Sequence, residues 1–290
     1  MILYEKGGWN VSIAKNLYLC YRVWLRVRMG KQRRDKFLED THINMGHFLL
    51  FEKPIKAQGG IMGIPRKRTQ DLYMLFWRHE KDIEPEILDL KEGESFLDVG
   101  ANVGYYTLKA ASAFANQSLP IKIMSVEADP DNYGALRRNI TCNGFSNVIT
   151  INKAVWDLTG YRGLRQRIVS TSSGNRISTD DATLCFEHSG PDDNCRILQV
   201  QTDTIDNMVR ENKIQNIGVL KIDVEGAEVK ALQGARETAK ITRKIVVEVH
   251  GENNMKEVRS ILTGYGFSIR NITLVRGYEY QFVIGEKKRT

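Results

Sequence analysis

"FLDVGANVGYYTL", Phe96 to Leu108, runs an apolar strand into a glycine turn and then into a helix. Gly100 and Gly104 stand where a nucleotide-binding turn wants glycine, while Asn102 holds the place where the commonest fingerprint carries another. Glycine in a turn is a weak signal by itself, because backbone geometry alone often demands it. Two acids strengthen it. Asp98 ends an apolar strand, where a carboxylate is costly unless hydrogen-bond donors surround it. Glu127 ends the following strand, roughly 20 residues past the turn, where such folds set a carboxylate on ribose hydroxyls.

The flanking sequence alternates strands with helices. "SFLDVG" leads into a helix through Ala115, and "KIMSVEAD" (Lys122 to Asp129) into the amphipathic helix "NYGALRRNITCNG", stopped by Gly144. "NVITINKAV" (Asn147 to Val155) is a third strand. The long polar stretch Asp157 to Gln199 reads as an insertion, either a loop that shapes acceptor specificity or a disordered surface segment. The strand "IGVLKIDVEG", the helix "AEVKALQGARETAK", the strand "KIVVEVHG" and the helix "NMKEVRSILTGYG" follow, and "FSIRNITLV" with "YEYQFVIGE" closes as an antiparallel pair. This order predicts an α/β, Rossmann-like fold: a mostly parallel central sheet flanked by helices, with an antiparallel C-terminal strand pair. It occupies residues 84–290, with the polar insertion around 157–199, behind a helical, basic extension and connector over 1–83.

The 290 residues are 42% hydrophobic and 27% charged, the balance of a soluble globular protein. A formal net charge of +7 permits an anionic partner without demanding one. The four cysteines show neither CxxC pairing nor metal-ligand spacing with the five histidines, which points to a reducing compartment. "MILYEKGGWN" lacks the basic start and apolar core of a secretory signal, and no apolar run approaches the ~18 residues that span a bilayer. The expected location is therefore cytoplasmic. From Trp9 to about Asp40, apolar Ile13, Leu17, Cys20, Tyr21 and Trp24 recur at helical spacing, with Lys15, Arg22, Arg26 and Arg33 on another face. A helix packed on the main domain is the first reading. Peripheral membrane contact through this basic helix on acidic lipid is the second.

The turn's chemistry argues against a dinucleotide. A pyrophosphate needs close backbone approach and positive potential, and Asp98 would repel it. The same carboxylate suits a ligand with an ammonium group. S-adenosylmethionine carries that ammonium, has a ribose for Glu127, and has no phosphate. No G-x-x-x-x-G-K-[ST] loop occurs.

These segments also carry a resemblance. "DVGANVGYYTL", "VEADPDNYGALRRNI", "VLKIDVEGAEVKALQGA" and "VVEVHG" resemble the FkbM-type family of S-adenosylmethionine-dependent methyltransferases, from about His79 to Gly266. The resemblance implies a Rossmann-like class I methyltransferase fold that transfers methyl groups, typically to hydroxyls of sugars, polyketides or similar metabolites. It implies that Asp98, Gly100, Asn102 and Gly104 line the methionine part of the cofactor and that Glu127 binds its ribose. Lys153, Ala154 and Val155 would lie along the adenine.

"KIDVEGAE" puts Lys221, Asp223 and Glu225 near a strand end, with Glu228 one turn into the next helix. Asp223 and Glu225 share a face if the strand continues. Glu248 and His250 end the next strand, so parallel neighbours would bring Asp223, Glu225, Glu248 and His250 to one rim as the catalytic candidates. The plainer reading makes Glu228 a solvated helix charge and pairs Lys221 with one of the acids. A hydroxyl acceptor has a pKa near that of water, ~15.7, so ionising it at pH 7 costs about 12 kcal/mol. Removal of the proton by a general base during in-line transfer, by His250 or a carboxylate, is the more economical route. A divalent metal on Asp223 and Glu248 is the minor alternative.

The expected partner is a small-molecule or glycan acceptor. A nucleic-acid methyltransferase is the main rival, given the positive charge. The place of an [DN]-P-P-[YF] motif reads Asp223-Val224-Glu225-Gly226, however, and no cysteine stands at the rim for carbon methylation. A carboxylate-lined mouth also repels a phosphate backbone. An RNA ribose hydroxyl stays open, with "PRKR" at Pro65 to Arg68 as basic surface. A non-catalytic binding protein on the same fold is the other rival, and the intact acids and glycines count against it.

Overall fold

The computed structural model describes residues 54–56, 61–66, 71, 82–115, 121–171, 174–184, 194–275 and 279–287. The basic helix expected between Trp9 and Asp40 lies outside the described residues, as does most of the 1–83 extension. A short antiparallel pair, β1 (Ile55–Lys56) and β2 (Met62–Gly63), precedes helix α1 (Glu84–Ile87). Then come β3 (Ser95–Val99), α2 (Tyr105–Phe114), β4 (Ile123–Val126), α3 (Pro130–Asn143) and β5 (Val148–Ile151). Four strands follow: β6 (Ala154–Val155), β7 (Gly160–Thr171), β8 (Gly174–Leu184) and β9 (Cys195–Asp203). The remainder is α4 (Ile205–Glu211), β10 (Ile217–Ile222), α5 (Glu228–Gln233), α6 (Arg236–Lys240), β11 (Thr242–Val249), α7 (Glu252–Gly264), β12 (Ser268–Val275) and β13 (Glu279–Glu286).

A seven-stranded sheet runs β12-β13-β11-β10-β3-β4-β5. Its members from β11 to β5 are parallel, and β13 is antiparallel to both β11 and β12, as expected. Every residue of β3 and β10 is buried, which is why these strands read as unbroken apolar runs rather than alternating ones. Leu97, Leu220 and Val247 pack on one side against Ile205, Leu232 and Leu262. Phe96, Val219 and Val246 pack on the other against Tyr106, Ala110, Phe114 and Ile87.

Local chemistry sets the ends of α3. Asp129 caps it by accepting from the Asp131 and Asn132 amides at 2.8 and 3.0 Å, Pro130 opens it, and Gly144 ends it in the left-handed region. On its far half, Asn139 and Asn143 hold the connector: their Oδ1 atoms accept from the Ile64 and Met62 amides at 2.8 and 2.7 Å. Buried Asn139 is thus a structural side chain that ties the 61–66 segment to the sheet domain.

Four sequence expectations need correction. The third strand breaks at Asn152-Lys153; β5 stays in the large sheet, whereas β6 leaves it to pair with β9. The described residues of the polar stretch 157–199 are mostly antiparallel strands, which with β6 form a second sheet of order β6-β9-β7-β8. The fourth strand ends at Ile222, so Asp223 and Glu225 stand on a turn, with Glu225 at φ 48°. The helix expected over Ala227–Lys240 divides into α5 and α6 around Gly234, whose flank packs on the Trp156 carbonyl with no room for a side chain.

Strand order reverses beside β3: the chain steps outward through β4 and β5, then returns to the other side for β10 and β11. In an open α/β sheet the ligand crevice lies at that point, past the strands' carboxyl ends. Gly100 follows β3 there. Its φ is 76°, and a Cβ would sit 1.7 Å from the Asp223 carbonyl oxygen. Left-handed strain and overpacking together predict that Gly100→Ala lowers stability by about 2 to 5 kcal/mol. The check is the urea midpoint at unchanged slope.

Candidate functional site

The loops after β3, β4 and β10 open on a cavity that is partly open to solvent. Gly100, Asn102, Val126, Glu127, Ala128, Asp129 and Asn132 line it from the large sheet; Lys153, Ala154 and Val155 with Leu164 and Leu184 line it from the second. Asp223, Val224 and Glu225 complete the lining.

Glu127 is buried and already engaged on both oxygens. Oε2 accepts from the Asn102 amide at 2.7 Å and Oε1 from the Asp129 amide at 2.9 Å. A carboxylate offers about four acceptor positions, so two remain for a ligand. Burial pushes its pKa up to about 7; the two amide hydrogen bonds oppose this, and the Asp129 charge adds to it.

Asp98 and Gly104 do not line the cavity. Asp98 is fully buried behind the loop, where Oδ2 accepts from the Thr107 amide at 3.1 Å and from the Thr107 hydroxyl at 2.6 Å. Its Oδ1 lies 3.5 Å from Lys221 Nζ, because the β3–β10 register sets Lys221 across from Asp98. The Lys221 ammonium also stands 3.3 Å from Asp223 Oδ2, donates to the Gly100 carbonyl at 3.2 Å, and sits 5.5 Å above the Tyr106 ring. Gly104 supports the loop from beneath, against Leu136.

The other candidates do converge. One ligand atom each of Asp223, Glu225 and His250 lies within 4.8 Å of the others. His250 Nε2 is 3.2 Å from Glu225 Oε2 and 3.9 Å from Glu248 Oε1, and Nδ1 is 2.7 Å from Glu228 Oε1. Glu228 is therefore no solvated helix charge. Its side chain is 0% exposed, and it accepts from the Gly226 amide at 2.8 Å and from Asn254 Nδ2 at 2.9 Å. Burial alone would lower the His250 pKa. The Glu228 hydrogen bond and the charges of Glu225 and Asp223 outweigh burial and raise it to about 10.

A strand-order reversal, a buried carboxylate after the second strand and an acidic turn after the fourth are now in place. The Methyltransferase FkbM domain matches residues 98–269. The chain belongs to the FkbM methyltransferase family. It is 23% identical over 212 residues to hexuronic acid methyltransferase AglP of Haloferax volcanii, covering 73% of this chain and 78% of that one. It is 27% identical over 203 residues to 31-O-demethyl-FK506 methyltransferase FkbM of Streptomyces tacrolimicus, covering 63% and 75%. Among solved structures, M. capricolum TrmK in complex with S-adenosyl-homocysteine covers 73% of this chain and 70% of its own at 9% identity, with a TM-score of 0.45.

This FkbM-family protein is thus an S-adenosylmethionine-dependent methyltransferase with a Rossmann-like, class I α/β fold. Two parts of its site lie beyond the motifs. Leu164 and Leu184 come from the second sheet, and their signal is the alternation through Leu164, Gln166 and Ile168 before the turn signal in "SSGN". Asn254, on the first turn of α7, carries no motif and becomes visible only through its contact with Glu228. Lys221, from the motif itself, pairs with the acids as expected, and strand register sets it across from Asp98 while its ammonium reaches Asp223. Among the described residues no helix is long and apolar enough to cross a membrane.

Proposed function

We propose that the protein O-methylates an uncharged hydroxyl of a sugar, glycan, lipid-linked or secondary-metabolite acceptor, by in-line transfer assisted by a general base. The acidic rim beside the cavity carries this reading: Asp223 and Glu225 line the cavity and meet His250 at its edge. The bound cofactor supplies a methyl group on a positively charged sulfur. Glu127, with two acceptor positions left, fits a ribose diol. Ala128, Ala154, Val155, Leu164 and Leu184 offer apolar surface for the adenine, with Lys153 beside them. Gly100 and Asn102 would meet the methionine part, with Asp98 and Gly104 bracing their loop. The Asp223 and Glu225 carboxylates favour a cationic donor.

The same carboxylates define the base. With a pKa of about 10, His250 is an imidazolium at neutral pH and has no lone pair to offer. The hydroxyl proton therefore passes to the Asp223 or Glu225 carboxylate as the methyl transfers. His250 and Lys221 hold those carboxylates in place, and Glu248 lies beside the imidazolium. An acidic rim disfavours phosphates and carboxylates as acceptors, which is why the reading settles on a neutral hydroxyl. Of the relatives' names, 31-O-demethyl-FK506 methyltransferase supports an oxygen-linked acceptor, and hexuronic acid methyltransferase supports a sugar, though one that itself carries a carboxyl group.

The test supplies methyl-labelled cofactor with extract fractions and identifies the labelled product by mass spectrometry. A methyl ether, stable to mild alkali, is expected. Label released by mild alkali would mean a methyl ester on a carboxylate acceptor, and label in RNA would mean a ribose acceptor; either overturns the reading.

Cofactor affinity should depend on pH through Glu127. An ionised carboxylate accepts from both ribose hydroxyls, whereas a protonated one has spent a position on its own proton. Its pKa in the empty site is about 7, so affinity should rise with pH through 7 and fall away below it. Calorimetric titration between pH 6 and 8 should show that step in the native chain. Glu127→Gln should bind weakly, and the step should be absent.

A further inference from the structure

We propose that Asp223, Glu225 and His250 form a divalent-cation site at the acceptor side of the cavity, taking an ion of the Mn²⁺ class. Two carboxylates and one imidazole are a mixed oxygen–nitrogen donor set suited to a first-row divalent ion. His250 Nε2 and Glu225 Oε2 stand 3.2 Å apart, the spacing of neighbouring ligands around an ion with bonds of roughly 2.2 Å. All three donor atoms fall within 4.8 Å.

The outer shell gives a second, independent reason. A metal-ligating histidine characteristically donates its other ring N–H to a carboxylate, which fixes the tautomer and aims the free nitrogen. Here Nδ1 is held at 2.7 Å by Glu228, whose side chain is 0% exposed and is itself fixed by the Gly226 amide and Asn254. That arrangement turns Nε2 toward Glu225. The three ligand side chains keep 28%, 35% and 31% exposure (Asp223, Glu225, His250), which leaves one side open to an acceptor and to water.

Charge points the same way. Asp223, Glu225, Glu228 and Glu248 all gather at His250, and the Lys221 ammonium beside Asp223 is shared with Asp98. A divalent ion would displace the proton that His250 otherwise carries on Nε2, bring net positive charge to these acids, and leave about three positions of an octahedron for outside oxygens. Two neighbouring oxygens of the acceptor, such as a sugar's vicinal diol, would fill cis positions. Coordination would lower the hydroxyl's pKa; its proton passes to a rim carboxylate while the O–C bond forms and the C–S bond breaks, releasing S-adenosylhomocysteine. That role rests on the methyl-transfer reading, whereas ion binding does not.

The test uses the full chain, freed of metal by chelator, titrated with Mn²⁺ and followed by electron paramagnetic resonance. One Mn²⁺ per chain is expected at micromolar concentration, with pulsed measurements showing coupling to one nitrogen. Glu225→Gln should weaken binding at least tenfold, His250→Ala should remove the nitrogen coupling, and Glu228→Gln should weaken affinity roughly 10- to 100-fold. Circular dichroism checks that each variant is folded. No stoichiometric Mn²⁺ below 1 mM, or a nitrogen coupling that persists in folded His250→Ala, overturns the site. Cofactor titration of the same metal-free samples separates the two readings. Cofactor binding without Mn²⁺ binding removes the ion and leaves the methyl-transfer reading standing; Mn²⁺ binding without cofactor binding does the reverse.

Discussion

Asp223→Asn should lower turnover by roughly 10² to 10⁴, the range that a positioned acid–base group contributes. Cofactor affinity should change by no more than about threefold. The substitution keeps the side chain's shape, so the turn that holds the Asp223 carbonyl against Gly100 is preserved. It removes the charge that Lys221 Nζ meets at 3.3 Å, but that ammonium keeps Asp98 at 3.5 Å. Stopped-flow or steady-state rates at saturating cofactor give the first quantity, and calorimetry gives the second. Turnover within threefold of the native chain would remove Asp223 from proton transfer.

Glu127→Ala should weaken cofactor binding by about 10² to 10⁴. Two hydrogen bonds to a charged acceptor are worth about 1.5 to 3 kcal/mol each, and 1.4 kcal/mol is tenfold. The loss has a second source. Without Glu127 the amides of Asn102 and Asp129 lose their partners at 2.7 and 2.9 Å, which loosens the loop meant to receive the ligand. Glu127→Gln keeps an acceptor oxygen for one of them and should fall between the native chain and Glu127→Ala. Equal affinity in all three proteins would show that the carboxylate does not meet the cofactor.

Much of the fold was legible because its signals are local. Unbroken apolar runs such as "IGVLKI" report strands covered on both faces, Asp129-Pro130 marks a helix start, and Gly144 marks its end. The polar insertion misled because a sheet with one face open to solvent keeps many charged side chains; Tyr161 and Ile197 are exposed while Leu164 and Leu184 are buried. Its apolar positions are too few to stand out against Ser, Thr, Asn and Asp. The third strand was read as too long for a related reason: Ala154 and Val155 continue the non-polar character of Ile149 and Ile151, and composition does not say which sheet a strand joins.

The candidate site divides along the same line. Asp98, Gly100, Asn102 and Glu127 stand out by type and place, since the two acids at strand ends strengthen a glycine turn that is a weak signal by itself. The sequence alone therefore determined an α/β fold and its methyltransferase family, and it pointed to the loop after the first strand of the large sheet as the place for the cofactor. It did not determine what each acid does. Only the tertiary structure turned Asp98 inward to Thr107 and Lys221, buried Glu228 beneath His250, and gathered Asp223, Glu225 and Glu248 around that imidazole. The physical reason is that strand register and burial bring together residues far apart in the chain. A carboxylate's charge, partners and protonation follow from those neighbours rather than from its own place in a motif.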